Sequence, residues 1–358
     1  MINVSDNING INPYVPGKPI EELEREMGIT GSIKLASNEN PHGPSPKAIA
    51  AIKKALESMN RYPDGSGYYL SQALAKKHEV DISQIILGNG SNELIELAVR
   101  TFVQPGDEVI SADPSFVVYM TITQAGGGTN IIVPLKKERH DLAAMAERIT
   151  AKTKLMFIAN PNNPTGTMNT KTEMDRLMDH VPDHVIVAAD EAYCEYVTHA
   201  DYPDSLDYLK AGKNVLALRT FSKIYGLAGL RIGYGVTTAQ IAEFMNKVRQ
   251  PFNTNSLGQI GALAALGDRK HVEKTIATNN EGKQFLYQSF TRLGISYVKT
   301  ETNFIMFETQ FEGKELYSML LKTGVIIRPV GGKRLRVTIG LPEENKRFVD
   351  ELEKILRT

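Results

Sequence analysis

A chain of 358 residues is long enough to bury a full core and exceeds the usual size of one compact unit, which predicts two structural lobes, one large and one smaller. Its 41 lysines plus arginines balance 41 aspartates plus glutamates, which disfavours nucleic acid or an anionic membrane as partner. The lone cysteine, Cys194, excludes an intramolecular disulfide and fits a reducing, cytoplasmic compartment, and residues 1–6 lack the basic start and apolar run of a targeting segment.

The opening segment, rich in proline, glycine and asparagine up to Pro46, offers few core positions; residues 1–45 are expected to form an arm that wraps across the other lobe, together with part of a small domain. From Gln84 onward, apolar runs at 85–87, 108–110, 131–133, 155–158, 185–187 and 215–218 alternate with amphipathic segments. They predict an α/β fold with a largely parallel, buried sheet, in a large domain spanning 46–250. Between the first two runs, Leu94, Leu97, Ala98 and Phe102 fall on one face of a packing helix. After Pro251 a charge-rich helical stretch leads to apolar runs at 297–298, 303–307, 325–327 and 336–339, which predict helices on a small sheet in a second domain, 251–358. No repeat, low-complexity tract or run of about 18 apolar residues interrupts this order.

Four segments sit at predicted strand ends, where an open α/β sheet places its ligands. In Gly88-Asn89-Gly90-Ser91-Asn92-Glu93 the glycines allow a tight turn, and free amides at the helix start can bind a phosphate; a plain N-cap by Ser91 or Asn92 is the alternative. Glu93 stands where a dinucleotide fingerprint needs a third glycine, which weighs against a nicotinamide oxidoreductase. In Asn160-Pro161-Asn162-Asn163-Pro164-Thr165-Gly166 a rigid turn can present Asn163 to a ligand oxygen. The strand at 185–189 delivers Asp190, whose carboxylate needs a partner, either a protonated ring nitrogen or a structural salt bridge. In the fourth, Lys223 follows a strand among small and apolar residues, either as a Schiff-base lysine of lowered pKa or as a solvated side chain; Ser222 and Arg231 can face a phosphate.

Asn-Pro-Thr-Gly from Asn163, Asp190-x-x-Tyr193, and Ser222-Lys223 with Arg231 eight residues on together resemble the ordered motif set of the fold-type-I aminotransferases, over essentially the whole chain. The resemblance implies a large domain with a mostly parallel seven-stranded sheet plus a smaller α+β domain, and pyridoxal 5′-phosphate bound to Lys223 as a Schiff base. Lys223 would then move the proton between the substrate Cα and the cofactor. Asp190 would meet the ring nitrogen, while Tyr193 and Asn163 would meet the phenolic oxygen. Gly90, Ser91, Asn92, Ser222 and Arg231 would hold the phosphate. Phe116 would stack on the ring, a core aromatic being the plain alternative. Tyr62, in Asn60-Arg61-Tyr62-Pro63-Asp64, would reach the cofactor phosphate of a neighbouring subunit, which implies a homodimer with shared active sites.

Residues 12–19 and 35–41, then Ile327-Arg328-Pro329-Val330 and residues 335–340, are similar to the histidinol-phosphate aminotransferases within that group. This implies L-histidinol phosphate and 2-oxoglutarate as substrates, in histidine biosynthesis, with Tyr14, Asn38, Arg328 and Arg336 binding the substrate. Arginine forks suit phosphate and carboxylate alike, so an aromatic amino-acid aminotransferase and a threonine-phosphate decarboxylase stay open. A non-catalytic regulator on this scaffold would carry an extra DNA-binding domain, for which the chain has no room. The Gly331–Arg334 connection is short for the family, with Lys333 and Arg334 read as solvated loop residues or as extra charge at the pocket rim. Asp64-Gly65-Ser66-Gly67 is either a lid edge or a turn. The seven histidines show no paired metal-ligand spacing, so no metal site is expected, and Cys194 is read as a small buried residue.

Overall fold

A computed structural model describes Ile2 and residues 4–357. In chain order its strands are β1 (Ile33–Lys34), β2 (Ile85–Gly88), β3 (Glu108–Asp113), β4 (Thr129–Pro134), β5 (Thr153–Ala159), β6 (Ile186–Asp190), β7 (Val215–Thr220), β8 (Gly233–Val236), β9 (Ser296–Tyr297), β10 (Phe304–Glu308), β11 (Val325–Ile326), β12 (Arg328–Gly331) and β13 (Arg334–Thr338). Seven form one sheet in the order β2-β8-β7-β6-β5-β3-β4, parallel except that β8 runs antiparallel to both neighbours.

Both faces of this sheet are covered, which is why its strands are continuous apolar runs. Along β5, Leu155, Phe157 and Ala159 pack on one side with Leu94, Leu97 and Ala98 of the helix Ser91–Phe102, while Met156 and Ile158 pack on the other with Met174 and Leu177. The period-two alternation thus divides one strand between two cores. β8 escaped the sequence reading because three of its neighbouring positions are Gly233, Tyr234 and Gly235. Gly233 is required there: a Cβ would lie 2.5 Å from the amide nitrogen of Ser91.

The second core lies under an antiparallel sheet, β12-β13-β10-β9, and a two-stranded parallel pair, β1-β11. Phe290, Phe307, Leu320, Val337 and Phe348 form its centre. The opening segment is richer in core positions than expected, because Leu35 joins this cluster and Leu23 and Ala36 pack with Ile326. The helix Ser256–Leu266 sides with the large sheet through Ala262 and Ala265. The helix Arg269–Arg292 touches both bodies, with Val272 and Ile276 on the first core and Leu286 and Phe290 in the second. Among the described residues no helix is long and apolar enough to cross a membrane.

Two further differences concern single residues. Arg334 is not a solvated loop residue: it opens β13 and forms a two-pronged ion pair with Glu138, at 2.8 and 3.2 Å. Only Gly332 and Lys333 make the turn, and neither Lys333 nor Arg334 borders the cavity described below. Cys194 is half-buried rather than buried, at the start of the short turn Cys194–Tyr196.

Candidate active site

The carboxyl ends of the parallel strands meet the start of the helix Ser91–Phe102 and the Ala36–Glu39 segment around a cavity of about 320 Å³. Ser91, Asn92, Phe116, Asn163, Asp190, Tyr193, Ser222, Lys223 and Arg231 line it, together with Tyr14, Asn38, Arg328 and Arg336. Two expected residues do not. Gly90 lies behind the wall, and Tyr62 points away, 83 % exposed and stacked on Phe252 with ring centroids 4.8 Å apart. The neighbouring Asp64 accepts from the backbone N–H groups of Ser66 and Tyr68, so residues 64–67 form a turn that starts the next helix.

Asp190 ends β6 with its side chain buried. One oxygen accepts from the Tyr119 hydroxyl at 2.6 Å and the other from the Ala192 N–H at 3.1 Å. Burial raises its pKa against these two donors, and no cationic side chain among the described residues is within ion-pair distance of it. The structural salt bridge belongs instead to the adjacent Glu191, which pairs with Arg219 at 2.8 Å. A buried carboxylate with neutral donors and no cation is a fitting seat for a protonated ring nitrogen. Tyr119, stacked on Phe157, was missed from the sequence; its position three residues after Phe116, at one helical turn, was the available signal.

Lys223 lies three residues beyond β7, and its Nζ donates to the Ser37 carbonyl at 3.1 Å. Loss of solvation, followed by the nearby Arg336, lowers its pKa to about 8. An amine titrating there is neutral in roughly a tenth of molecules at pH 7, against well under a thousandth for an ordinary lysine, and nucleophilic attack on a carbonyl requires the neutral form. The rate at which cofactor-free protein captures an aldehyde cofactor is therefore expected to rise about tenfold per pH unit below pH 8 and level off above it. Stopped-flow absorbance from pH 6 to 10 checks this, and a profile still rising at pH 10 contradicts it.

The end of the cavity expected to take a phosphate follows from the glycine turn. Gly90 holds φ +80°, and a Cβ there would lie 2.4 Å from Arg231 Nη2, so the arginine packs directly on the turn. Neither Ser91 nor Asn92 caps the helix; Gly90 occupies the cap position and has no side chain to satisfy the first-turn amides. Those amides, the Ser222 hydroxyl and the Arg231 guanidinium, which donates to it at 3.3 Å, form a cradle for a dianion.

At the opposite wall, Arg336 is buried on β13. It donates to the Asn163 side-chain oxygen and, at 2.7 Å, to the Ala36 carbonyl, while its buried Nε has no partner. With its oxygen engaged, Asn163 has its NH2 group to offer a cofactor oxygen. Tyr193 accepts from Asn38 Nδ2 at 2.8 Å, and burial pushes its phenol up to about 12. Arg328 stacks on the Tyr14 ring, 5.4 Å from its centroid, and donates to the Val15 carbonyl at 2.8 Å.

Residues 30–352 match the family model for aminotransferases of class I and II. A histidinol-phosphate aminotransferase of Moorella thermoacetica is 50% identical over 354 residues, covering 98% of this chain and 92% of its own. Another, from Desulfotalea psychrophila, is 47% identical over 363 residues, covering 99% and 96%. The crystal structure of histidinol-phosphate aminotransferase from Sinorhizobium meliloti in complex with pyridoxal-5′-phosphate superposes with a TM-score of 0.92 at 26% identity, covering 100% of this chain and 98% of that one.

Proposed function

The chain belongs to the class I and II aminotransferases, among the histidinol-phosphate aminotransferases, and from that premise we propose that it transfers the amino group of L-histidinol phosphate to 2-oxoglutarate in histidine biosynthesis, using pyridoxal 5′-phosphate. The observation that carries the substrate reading is the pair of arginines at one wall. Arg336 is buried with a free Nε, and Arg328 is braced on Tyr14 beside it. Two guanidinium groups and a phenol match a phosphate dianion in charge and in number of donors.

When bound, pyridoxal phosphate supplies the electron sink that makes a Cα–H bond acidic. The side chains do the rest. Asp190, steadied by Tyr119, stays ionised against the ring N–H and keeps that proton in place. Tyr193 and Asn163 donate to the phenolic oxygen. Ser91, Asn92, Ser222 and Arg231 would hold the phosphate, and Phe116 would stack on the ring. Lys223 would hold the cofactor and, once freed by the substrate amine, would serve as the base that takes the proton from Cα and delivers it to the cofactor carbon beyond the amino nitrogen. Arg336 and Arg328 orient the substrate so that this C–H bond faces Nζ.

Mixing the yellow enzyme with L-histidinol phosphate or with L-phenylalanine, and following single-turnover loss of the yellow band, separates the substrate readings. A strong preference for histidinol phosphate is expected. If phenylalanine reacts faster, the enzyme is an aromatic aminotransferase, because Arg336 accepts a carboxylate equally well.

The exposed Tyr62 and Phe252 pair supports a homodimer in which Tyr62 serves the partner's cofactor phosphate. Tyr62→Phe is expected to weaken cofactor retention about 10-fold, the scale of one hydrogen bond to a charged group, without changing the mass in sedimentation. A monomeric wild type, or unchanged retention in the variant, overturns this assignment.

A further inference from the structure

Two acidic side chains border the cavity among the described residues, against four cations: Lys223, Arg231, Arg328 and Arg336. Asp190 serves the ring nitrogen. Glu39 has no part in the chemistry derived so far, yet it shares the cavity wall with Lys223 and is close enough to act on its charge.

Glu39 is also held in place. Asn38, before it, adopts a left-handed φ of 56° and is pinned on both sides: its N–H donates to Thr338 Oγ1 at 2.9 Å, and its carbonyl accepts from Asn303 Nδ2 at 3.0 Å. Ser37 takes the Lys223 ammonium on its carbonyl. Leu35 is tied into β11 and β13 through Ile326 and Thr338. The carboxylate is anchored by Lys34, whose Nζ lies 3.0 Å from one oxygen. A carboxylate offers about four acceptor positions, so this pair leaves Glu39, a residue of the cavity wall, with acceptor capacity to spare.

Resting on the histidinol-phosphate reading above, we propose that Glu39 is the specificity-determining residue that accepts a hydrogen bond from the imidazole N–H of the substrate. The argument is chemical. With the substrate phosphate at Arg336 and Arg328 and its Cα at Lys223, the remaining arm of the molecule ends in a ring that differs from a phenyl group chiefly in its N–H. A carboxylate is the strongest acceptor for that group, and an apolar ring leaves it unpaired and desolvated. Lys34 keeps the Glu39 pair near neutral, so the same wall tolerates the second carboxylate of 2-oxoglutarate in the return half-reaction.

The test compares Glu39→Leu and Glu39→Gln with wild type, using kcat/KM for L-histidinol phosphate and L-phenylalanine, with the yellow band as the check on folding and cofactor loading. The preference for histidinol phosphate is expected to fall by roughly 10-fold or more in Glu39→Leu and less in Glu39→Gln, whose amide still accepts. Substrates carrying a single methyl group, on one or the other imidazole nitrogen, should lose a similar factor with wild type and no further factor with Glu39→Leu. If the preference stays within about threefold of wild type, or the two losses multiply, Glu39 does not read the ring. If wild type itself prefers phenylalanine, the substrate reading fails as well, and if Glu39→Leu does not fold, the methylated substrates and Glu39→Gln still decide.

Discussion

Lys223→Ala is expected to lower transamination by on the order of 10⁴-fold or more, because in the proposed mechanism one side chain provides both the covalent attachment and the general base. The two roles depend on the same physical feature. Its amine titrates near 8, so Nζ can be a nucleophile toward an aldehyde and a proton acceptor from carbon within the same pH range. Nothing nearby can replace it: among the described residues no other amine lines the cavity, and the Tyr193 phenol is pushed up to about 12. A readout independent of turnover is borohydride reduction of the loaded protein followed by peptide mass spectrometry. Wild type should carry the cofactor mass on the peptide containing Lys223, and the variant should carry none while still retaining the cofactor non-covalently through Ser222, Arg231 and the helix start. Covalent label elsewhere, or turnover above about one per cent of wild type, would refute the assignment.

Much of this site was legible because its residues fall at the carboxyl ends of buried strands, and a polar residue after an apolar run stands out. Asp190 and Lys223 could be found that way, and the structure brings them into one cavity with Asn163, Tyr193 and Arg231. The sequence could not tell Asp190 from Glu191 as the carboxylate that lacks a cation. Alternation along β6 puts the two on opposite sides, and only the position of Arg219 shows which is neutralised. Tyr119 was hidden because a buried tyrosine in an amphipathic helix looks like packing until its hydroxyl is seen on Asp190. β8 was hidden by its glycines, and the core role of Leu23, Leu35 and Ala36 by the proline-rich texture around them. Glu39 lies within the 35–41 stretch that carried the resemblance but was not singled out there, since its significance rests on the left-handed turn at Asn38 and on contacts about 300 residues away, at Thr338.

Asp190→Asn separates catalysis from stability, and the two should move in opposite directions. In the proposed arrangement the ring nitrogen would lose the charge that keeps its proton in place, and transamination is expected to fall on the order of 10³-fold, the scale seen when one preorganised electrostatic contact is removed. The cofactor-free protein behaves differently. Burial raises the Asp190 pKa above its ordinary value near 3.8, so its contribution to stability is present when the carboxyl is protonated and is lost as pH rises through the folded pKa. The asparagine variant has no such ionisation, although its amide can satisfy only one of the two donors, Tyr119 and Ala192. Its cofactor-free melting temperature should therefore gain on that of wild type between pH 4 and neutrality. The rise on adding cofactor should shrink, because there is no longer a buried charge for the ring N–H to neutralise. Melting curves of both proteins with and without cofactor at pH 4.5 and 7 measure these differences. A cofactor-induced rise equal in the two proteins at pH 7 would mean that Asp190 does not face the ring nitrogen, and the arrangement of the cavity floor would have to be redrawn around another acid.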